Sequence, residues 1–386
     1  MAARRLKQEN LPGRLPEAVR STWQALAREG ETYLVGGALR DMLLGRTPHD
    51  YDLATALLPE RARDILGWPE RCLDAFGVLH GPQAGLEVVS LRSEGRYLDR
   101  RHPDEVRFGA TLEEDLSRRD FTANALALDA SGRLHDPSGG LGDLRRGLLR
   151  TVGPAAERLK EDLLRILRAY RLAAELGWRL DPQLRETARQ LAPSLKGVSQ
   201  ERVGEELWRL LRAPGGYQPL RWASEDGVLA AVLPSLRPTR PIAGPVPRLV
   251  GWTRGDPDEA LRRWRAFGWP REERRLAEAA VRLRAEVSAT AARPVWREAL
   301  ARGGADAADV LVLTGGSRRI AAFAGLYGRE GVLDRLRLPL RGAELATAEG
   351  LRGAEIGRRE AELLREIWRN PARLTPAPRR NPGPSV

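Results

Sequence analysis

Residues Tyr33 to Thr55, YLVGGALRDMLLGRTPHDYDLAT, constrain this chain more than any other stretch. The apolar run Tyr33-Leu34-Val35 has the composition of a buried strand, and two glycines follow before an amphipathic pattern opens at Ala38. A strand, a glycine turn and a helix start together make a phosphate cradle. Gly36 and Gly37 keep no side chain between a ligand and the N–H groups that open the Ala38–Leu44 helix, and Arg40 sits one turn further in as a fixed cation. Gly45 closes that helix, Pro48 prevents its resumption, and an extended run through His49-Asp50-Tyr51-Asp52-Leu53 is expected. Residues two apart in a strand face one side. Asp50 and Asp52 therefore converge, and such a pair of like charges calls for a divalent cation, for which the reading is Mg²⁺. A phosphate cradle followed by paired carboxylates is the equipment of nucleotidyl transfer.

The spelling V-G-G-x-x-R-D-x-L-L-G-x-x-P-x-D-x-D-x-A-T resembles the first motif of the class II tRNA nucleotidyltransferases, the CCA-adding enzymes, and of the related bacterial poly(A) polymerases. The resemblance implies an α/β nucleotidyltransferase head with a small mixed sheet, followed by an all-α neck, body and tail. Five further stretches carry it. Leu86 to Leu91 has strand composition and sets one acid, Glu87, in an apolar run, where the family supplies a third carboxylate to the metal site. Ser117 to Ala127, SRRDFTANALA, resembles the second motif, which implies that Arg119 and Asp120 contact the sugar and phosphates of the incoming nucleotide; Asn124 is taken with them. His135 to Arg150 resembles the third motif and is read as a flexible joint, and Glu201-Arg202 resembles the fifth, read as support for the nucleotide pocket.

Glu161 to Leu176, EDLLRILRAYRLAAEL, reads as one amphipathic helix with apolar residues at 163, 166, 167, 170 and 174. Asp162 and Arg165 lie three apart on it, which by spacing alone gives an ordinary intrahelical ion pair. Their chemistry offers another role. A carboxylate only accepts and a guanidinium only donates, so the two complement the amine and ring nitrogen that cytosine and adenine share. Glu-Asp-x-x-Arg resembles the fourth motif, where these side chains form a template for CTP and ATP, with Arg168 in the same nucleotide-binding group.

Between the first two motifs, Ser93 to Phe108 is dense in charge of both signs and reads as a mobile loop; CC-adding members of the family lack much of it. Residues 1–22 read as a loosely held arm, with the first helix capped by Ser21-Thr22. The domain expectation is a head over 23–152, a neck over 153–213, a body over 214–300, a tRNA-binding tail over 301–369 and a disordered end over 370–386. Trp222, Trp252, Trp264 and Trp296 stand among arginines, where they grip RNA or fill the core.

With 64 Lys and Arg against 52 Asp and Glu, the net charge of +12 favours a polyanionic partner, which the resemblance makes tRNA, with CTP and ATP as substrates. No run is long and apolar enough to span a membrane, and the single Cys72 allows no internal disulfide, so a cytoplasmic location is expected. The expected activity is metal-dependent addition of CMP and AMP to the 3′ end of tRNA; the alternatives are an enzyme adding only A, a poly(A) polymerase, or a non-catalytic RNA-binding protein on the same scaffold.

Overall fold

The strand at the centre of the sheet is the one the sequence marks most plainly. In the computed structural model, which describes residues 6–74, 77–82, 85–94, 106–289, 295–299, 305–314, 318, 320, 322–323 and 343–369, β1 (Thr32–Val35) is buried along its whole length. It lies between β2 (Tyr51–Thr55) and β7 (Ala127–Asp129), antiparallel to both. With β3 (Val78–His80), β4 (Leu86–Ser90) and β8 (Leu134–His135) these make a six-stranded sheet in the order β3-β4-β2-β1-β7-β8. Only β2 and β4 run parallel, so the sheet is mixed. A parallel pair needs a crossover, and α3 (Pro59–Leu66) provides its helix, opened by proline and closed by Gly67 in the left-handed region.

The N-terminal segment is held more firmly than expected. Helix α1 (Glu17–Ala27) begins directly after Pro16, and Val19, Trp23 and Leu26 form its buried stripe. The indole of Trp23 donates to the carbonyl of Thr32 at 2.9 Å. Ser21 is therefore interior to α1, its hydroxyl turned back to the carbonyl of Ala18. The stripe at i, i+4 and i+7 decides where the helix begins, ahead of the cap read at Ser21-Thr22. Leu11 and Leu15, in the stretch read as an arm, are buried.

The expected loop between the first two motifs stands on a short antiparallel ribbon of β5 (Arg92–Glu94) and β6 (Val106–Phe108), and 95–105 lie outside the described residues. The stretch expected to be a flexible joint is instead folded. Asp136 accepts from the N–H groups of Gly140 and Leu141 at the start of α5 (Gly140–Arg146). Buried Asp143 takes the Thr122 hydroxyl at 2.7 Å and the guanidinium of Arg150 at 2.8 Å. A Cβ at Gly140 would stand 2.2 Å from the carbonyl oxygen of Thr122, so only glycine permits this approach.

Helices follow, as expected: α6 (Ala155–Glu161), α7 (Leu164–Leu176), α8 (Pro182–Leu191) and α9 (Gln200–Arg212). A two-residue parallel pairing of β9 (Leu148–Leu149) with β10 (Arg179–Leu180) ties this helical part to the end of the head. Between α7 and α9 runs a buried ion pair, Arg171 to Glu206 at 2.5 Å. α10 (Tyr217–Glu225) and α11 (Val228–Val232) complete the first of two compact units, Met1–Val232.

The second unit, Leu233–Val386, contains α12 (Pro245–Trp252), α13 (Pro257–Ala266), α14 (Arg271–Ala289) and the helices Ala305–Thr314, Ala343–Glu349 and Ala354–Arg369. Trp252, Trp264 and Trp296 are core residues of this unit, whereas Trp222 of the first unit is half-buried beneath Arg185. The end expected to be disordered, from Asn370 onward, lies outside the described residues. No helix among the described residues is long and apolar enough to cross a membrane.

Candidate active site

Strand register brings the carboxylates together. Asp52 is the second residue of β2, opposite Val35 of β1 on one side and Glu87 of β4 on the other. Partners in register on parallel strands present their side chains to the same face, so Asp52 and Glu87 share one. Asp50 lies in a bend just ahead of β2, which begins at Tyr51 and not at His49. The N–H of Tyr51 donates to the carbonyl of Gly85 at 2.6 Å. Gly85 has φ +82°, and a Cβ there would stand 2.6 Å from the carbonyl oxygen of His49 and 3.1 Å from a carboxylate oxygen of Asp50. The glycine thus lets the chain entering β4 pass close to Asp50.

The Asp52 carboxyl is pushed above the usual carboxylate range, first by burial and then by the charges of Glu87 and Asp50, with Arg119 and Arg168 opposing. Clustered carboxylate oxygens facing a cradle made by glycine fit a hard divalent cation. The group is lean: among the described residues, no set of three or more His, Cys, Asp and Glu side chains is gathered as metal ligands. Glu87 is paired instead with His80 of the neighbouring strand, Oε1 to Nδ1 at 3.2 Å, and the other ring nitrogen of His80 meets Asp74. Neither His80 nor Asp74 stands out in the sequence, because only strand pairing brings them to Glu87.

The two glycines stand at the start of a helix, with Gly36 beside Asp52. α2 (Gly36–Leu43) begins at Gly36, so both glycines belong to its first turn. Gly36 has φ +73°, and a Cβ on it would lie 2.9 Å from Asp52 Oδ2 and 3.3 Å from Arg119 Nη1. At Gly37 a Cβ would meet only the Arg40 guanidinium, at an ordinary 3.5 Å. Its exemption from a side chain is therefore not a packing demand of the protein itself, and the opening N–H groups of the helix have no partner within it. Arg40 differs from expectation. It is buried, its Nε and Nη2 donate to Asp41 at 2.9 and 3.0 Å, and its Nη1 donates to Asn124 Oδ1 at 2.7 Å.

From Asn124 the hydrogen bonding continues. Its amide donates to Asp120 Oδ1 at 3.0 Å, the N–H of Phe121 donates to the same oxygen at 2.7 Å, and Arg168 pairs with Asp120 Oδ2 at 2.8 Å. Burial raises the Asp120 carboxyl, but Arg168 and the hydrogen bond from Asn124 outweigh it and hold it below the usual range. Asp41, Arg40, Asn124, Asp120 and Arg168 thus form one chain from the cradle to α7.

The fourth motif departs from the single helix read from its periodicity. All five apolar positions are buried, yet the helix is broken. α6 stops at Glu161, Asp162 is extended at φ −143° and ψ 107°, and α7 starts at Leu164. A short acid competes with the helix for backbone donors, and here the Asp162 carboxylate takes the N–H of Leu164 at 3.0 Å. Its second oxygen pairs with Arg202 of α9 at 2.8 Å. Arg165 reaches back to Glu161 and donates to the carbonyl of Arg158 at 2.9 Å. The plain intrahelical pair of Asp162 with Arg165 is not formed. Arg202, read from the sequence as support for the nucleotide pocket, is thus the residue that holds Asp162.

A basic cluster lies in the second unit. An antiparallel bridge between Leu236 and Thr253 sets the segment with Arg237 and Arg240 beside Arg254. Arg254 Nη1 donates to the carbonyls of Gly251 and Thr253 at 2.7 and 2.9 Å, and Arg284 donates to those of Val250 and Thr253. The charged groups that act on these residues are other arginines. Burial and Arg254 push Arg284 down to about 10, and burial and Arg240 lower Arg254.

Known proteins resemble this chain in sequence and fold. Residues 32–150 match the family model described as the poly A polymerase head domain, and 177–239 match a probable RNA and SrmB-binding site of polymerase A. The CCA-adding enzyme of Geobacillus stearothermophilus is 42% identical over 220 residues, 55% of this chain and 53% of that protein. The chain thus resembles the CCA-adding enzymes of the class II tRNA nucleotidyltransferases over its head and the helices that follow. The CCA-adding enzyme of Streptococcus sanguinis (strain SK36) is a further relative, 40% identical over 241 residues, 61% of this chain and 59% of that one. The matches thus span a little over half the length of these curated relatives. In three dimensions the chain resembles a Bacillus stearothermophilus CCA-adding enzyme in complex with CTP, with a TM-score of 0.68, 28% identity and coverage of 93% of each chain. A CCA-adding enzyme in an apo form, 20% identical with a TM-score of 0.69 over 96% of each chain, shares the fold. The head match contains Gly36, Gly37, Asp50, Asp52, Glu87 and Asp120.

Proposed function

We propose that this chain adds CMP and AMP, from CTP and ATP, to the 3′ end of tRNA. The observation that carries the reading is the register of Asp52 with Glu87 beneath Gly36, which sets carboxylates and phosphate cradle at one point. The 3′-hydroxyl of the RNA attacks the α-phosphorus, an O–P bond forms, the α–β anhydride bond breaks, pyrophosphate leaves and the hydroxyl proton passes to solvent. Asp50 and Asp52 would hold a divalent cation, for which the reading is Mg²⁺, a hard cation that is bound by carboxylates. When bound, it supplies charge stabilisation to the reacting phosphate. Glu87 borders the same face. Gly36 and Gly37 present main-chain N–H groups to the triphosphate, and Arg119 adds the cation nearest to Asp52.

Asp120 lies ready for the ribose, ordered by Asn124 and Arg168, while Arg40 serves by holding Asn124. Asp162 and Arg165 read the base. The Asp162 carboxylate is fixed by Leu164 and Arg202, which keeps it an acceptor, and Arg165 is fixed by Glu161. An exocyclic amine beside a ring nitrogen satisfies both, so UTP and GTP are rejected. In domain terms, 153–213 acts as the neck, 214–300 as the body and 301–369 as a tail that holds tRNA, with Arg240, Arg254 and Arg284 supporting a polyanionic partner.

The head is shared with poly(A) polymerases, which keeps a second reading in view: transfer of A alone. One experiment separates the two. The full chain is incubated with tRNAs ending before the first C, before the second C and before A, each with single nucleotides. The reading expects C, C and A in turn. Addition of A only, to the tRNA ending in CC, selects the second reading, and no addition at all overturns both.

A further inference from the structure

One fully buried acid near the site belongs to none of the roles above. Asp115, in α4 (Leu112–Ser117), has no exposed side-chain surface, and it faces two arginines. Its Oδ1 accepts from Arg118 Nη2 at 2.6 Å and Nε at 3.1 Å. Its Oδ2 accepts from Arg119 Nη2 at 3.0 Å and Nε at 3.2 Å. With those two nitrogens occupied, the remaining Nη1 of Arg119 is the one that lies against Gly36 and Asp52. Arg118 meanwhile donates to the carbonyl of Arg92 in β5, and its own carbonyl accepts from Arg158 at 2.9 Å and from the template residue Arg165 at 3.5 Å.

We infer that Asp115 is a positioning residue: it grips the back of the Arg119 guanidinium so that a single donor edge is aimed at the triphosphate beside Asp52. A forked ion pair fixes both the place and the plane of a guanidinium, which a lone charge does not. The same carboxylate clamps Arg118, so the base of the β5–β6 ribbon and the backbone that supports Arg165 share one anchor with the phosphate cation.

This inference rests on the proposed nucleotidyl transfer, and its test reads CTP binding as well as turnover. Equilibrium CTP binding, KM and kcat for CTP and ATP, and the melting temperature are measured on the full chain for the parent, Asp115→Asn, Arg119→Gln and the double variant. The expected result is a CTP affinity about 10- to 100-fold weaker in Asp115→Asn, a scale set by the cost of small misplacement of a reacting group. The double variant should bind no worse than Arg119→Gln alone, because one residue acts through the other. Additive losses, or an unchanged CTP affinity in Asp115→Asn with only a lower melting temperature, would overturn the inference and leave Asp115 a structural ion pair. Should Asp115→Asn not fold, Arg119→Lys keeps the buried charge balance but not the fork. It is expected to lose CTP affinity to the same extent, and parental affinity in that variant overturns the inference as well. A parent that binds CTP but extends no tRNA contradicts the functional reading and leaves the binding comparison intact.

Discussion

At the scale of single residues, Arg202 is where the base-reading proposal is most exposed. It holds one oxygen of Asp162, and the N–H of Leu164 holds the other. Arg202→Ala therefore frees the carboxylate to rotate without removing it. Competition among all four nucleotides should show CTP and ATP preference reduced by about tenfold, a scale of about 1.4 kcal/mol that suits one lost charged hydrogen bond, with triphosphate affinity nearly kept. Rejection of UTP and GTP at the parental level would make Arg202 a packing residue only. Much of the site could be read from the chain: Asp52 and Glu87 fall in strands whose period is two, and Gly36 precedes a helical pattern. The partners of Asp162 could not. Arg202 is forty residues away in sequence, and the Arg40–Asn124 contact spans 84, so only the packed fold joins them. Local spacing made Arg165 the natural partner of Asp162, and a helix break removed it.

Among the elements, α7 is the strut between the chemistry and the helical part, and one buried acid locks it. Asp226 accepts from the Tyr170 hydroxyl of α7 at 2.7 Å, and it pairs with Arg185 and Arg189 of α8 at 2.8 and 3.0 Å. Burial raises the Asp226 carboxyl, but Arg185, Tyr170 and Arg189 overcome it, so the group lies below its ordinary range. A carboxyl whose folded pKa is depressed contributes stability above its unfolded pKa of about 3.9, and that contribution is lost as pH falls through the folded value. Asp226→Asn should cost about 3–5 kcal/mol near neutrality, since it leaves two arginines without their buried partner. Denaturant unfolding followed from pH 7 to pH 3 checks this: the gap between parent and variant should narrow toward pH 3. A gap that does not change with pH would show that the charge is not what locks α7. The helices of the second unit follow the all-α expectation for this part of the chain, as α13 and α14 show. Helix ends were less legible: the buried stripe from Val19 carries α1 ahead of the cap read at Ser21-Thr22, and the end of α6 is set by the Asp162 side chain, a contact that periodicity does not carry.

For the whole molecule, charge is the property that the sequence reports most directly and locates least. A net +12 predicts a polyanionic partner but spreads over the chain, and Arg240, Arg254 and Arg284 are one place in the second unit where it gathers. Arg240→Gln should weaken tRNA binding about equally for all tRNA sequences and reduce the slope of log affinity against log salt by about one. Filter binding over a range of salt concentrations measures it, and an unchanged slope would remove Arg240 from the RNA interface.

The account depends most on one centre, the carboxylates of β2 and the bend before it. Its direct measurement is single-turnover incorporation of labelled CMP into a tRNA lacking its CCA end, by the parent chain and by Asp52→Asn, at saturating Mg²⁺. The account predicts rapid incorporation by the parent and a loss of about a thousandfold or more in the variant, with tRNA affinity retained. Incorporation by Asp52→Asn within tenfold of the parent would contradict it.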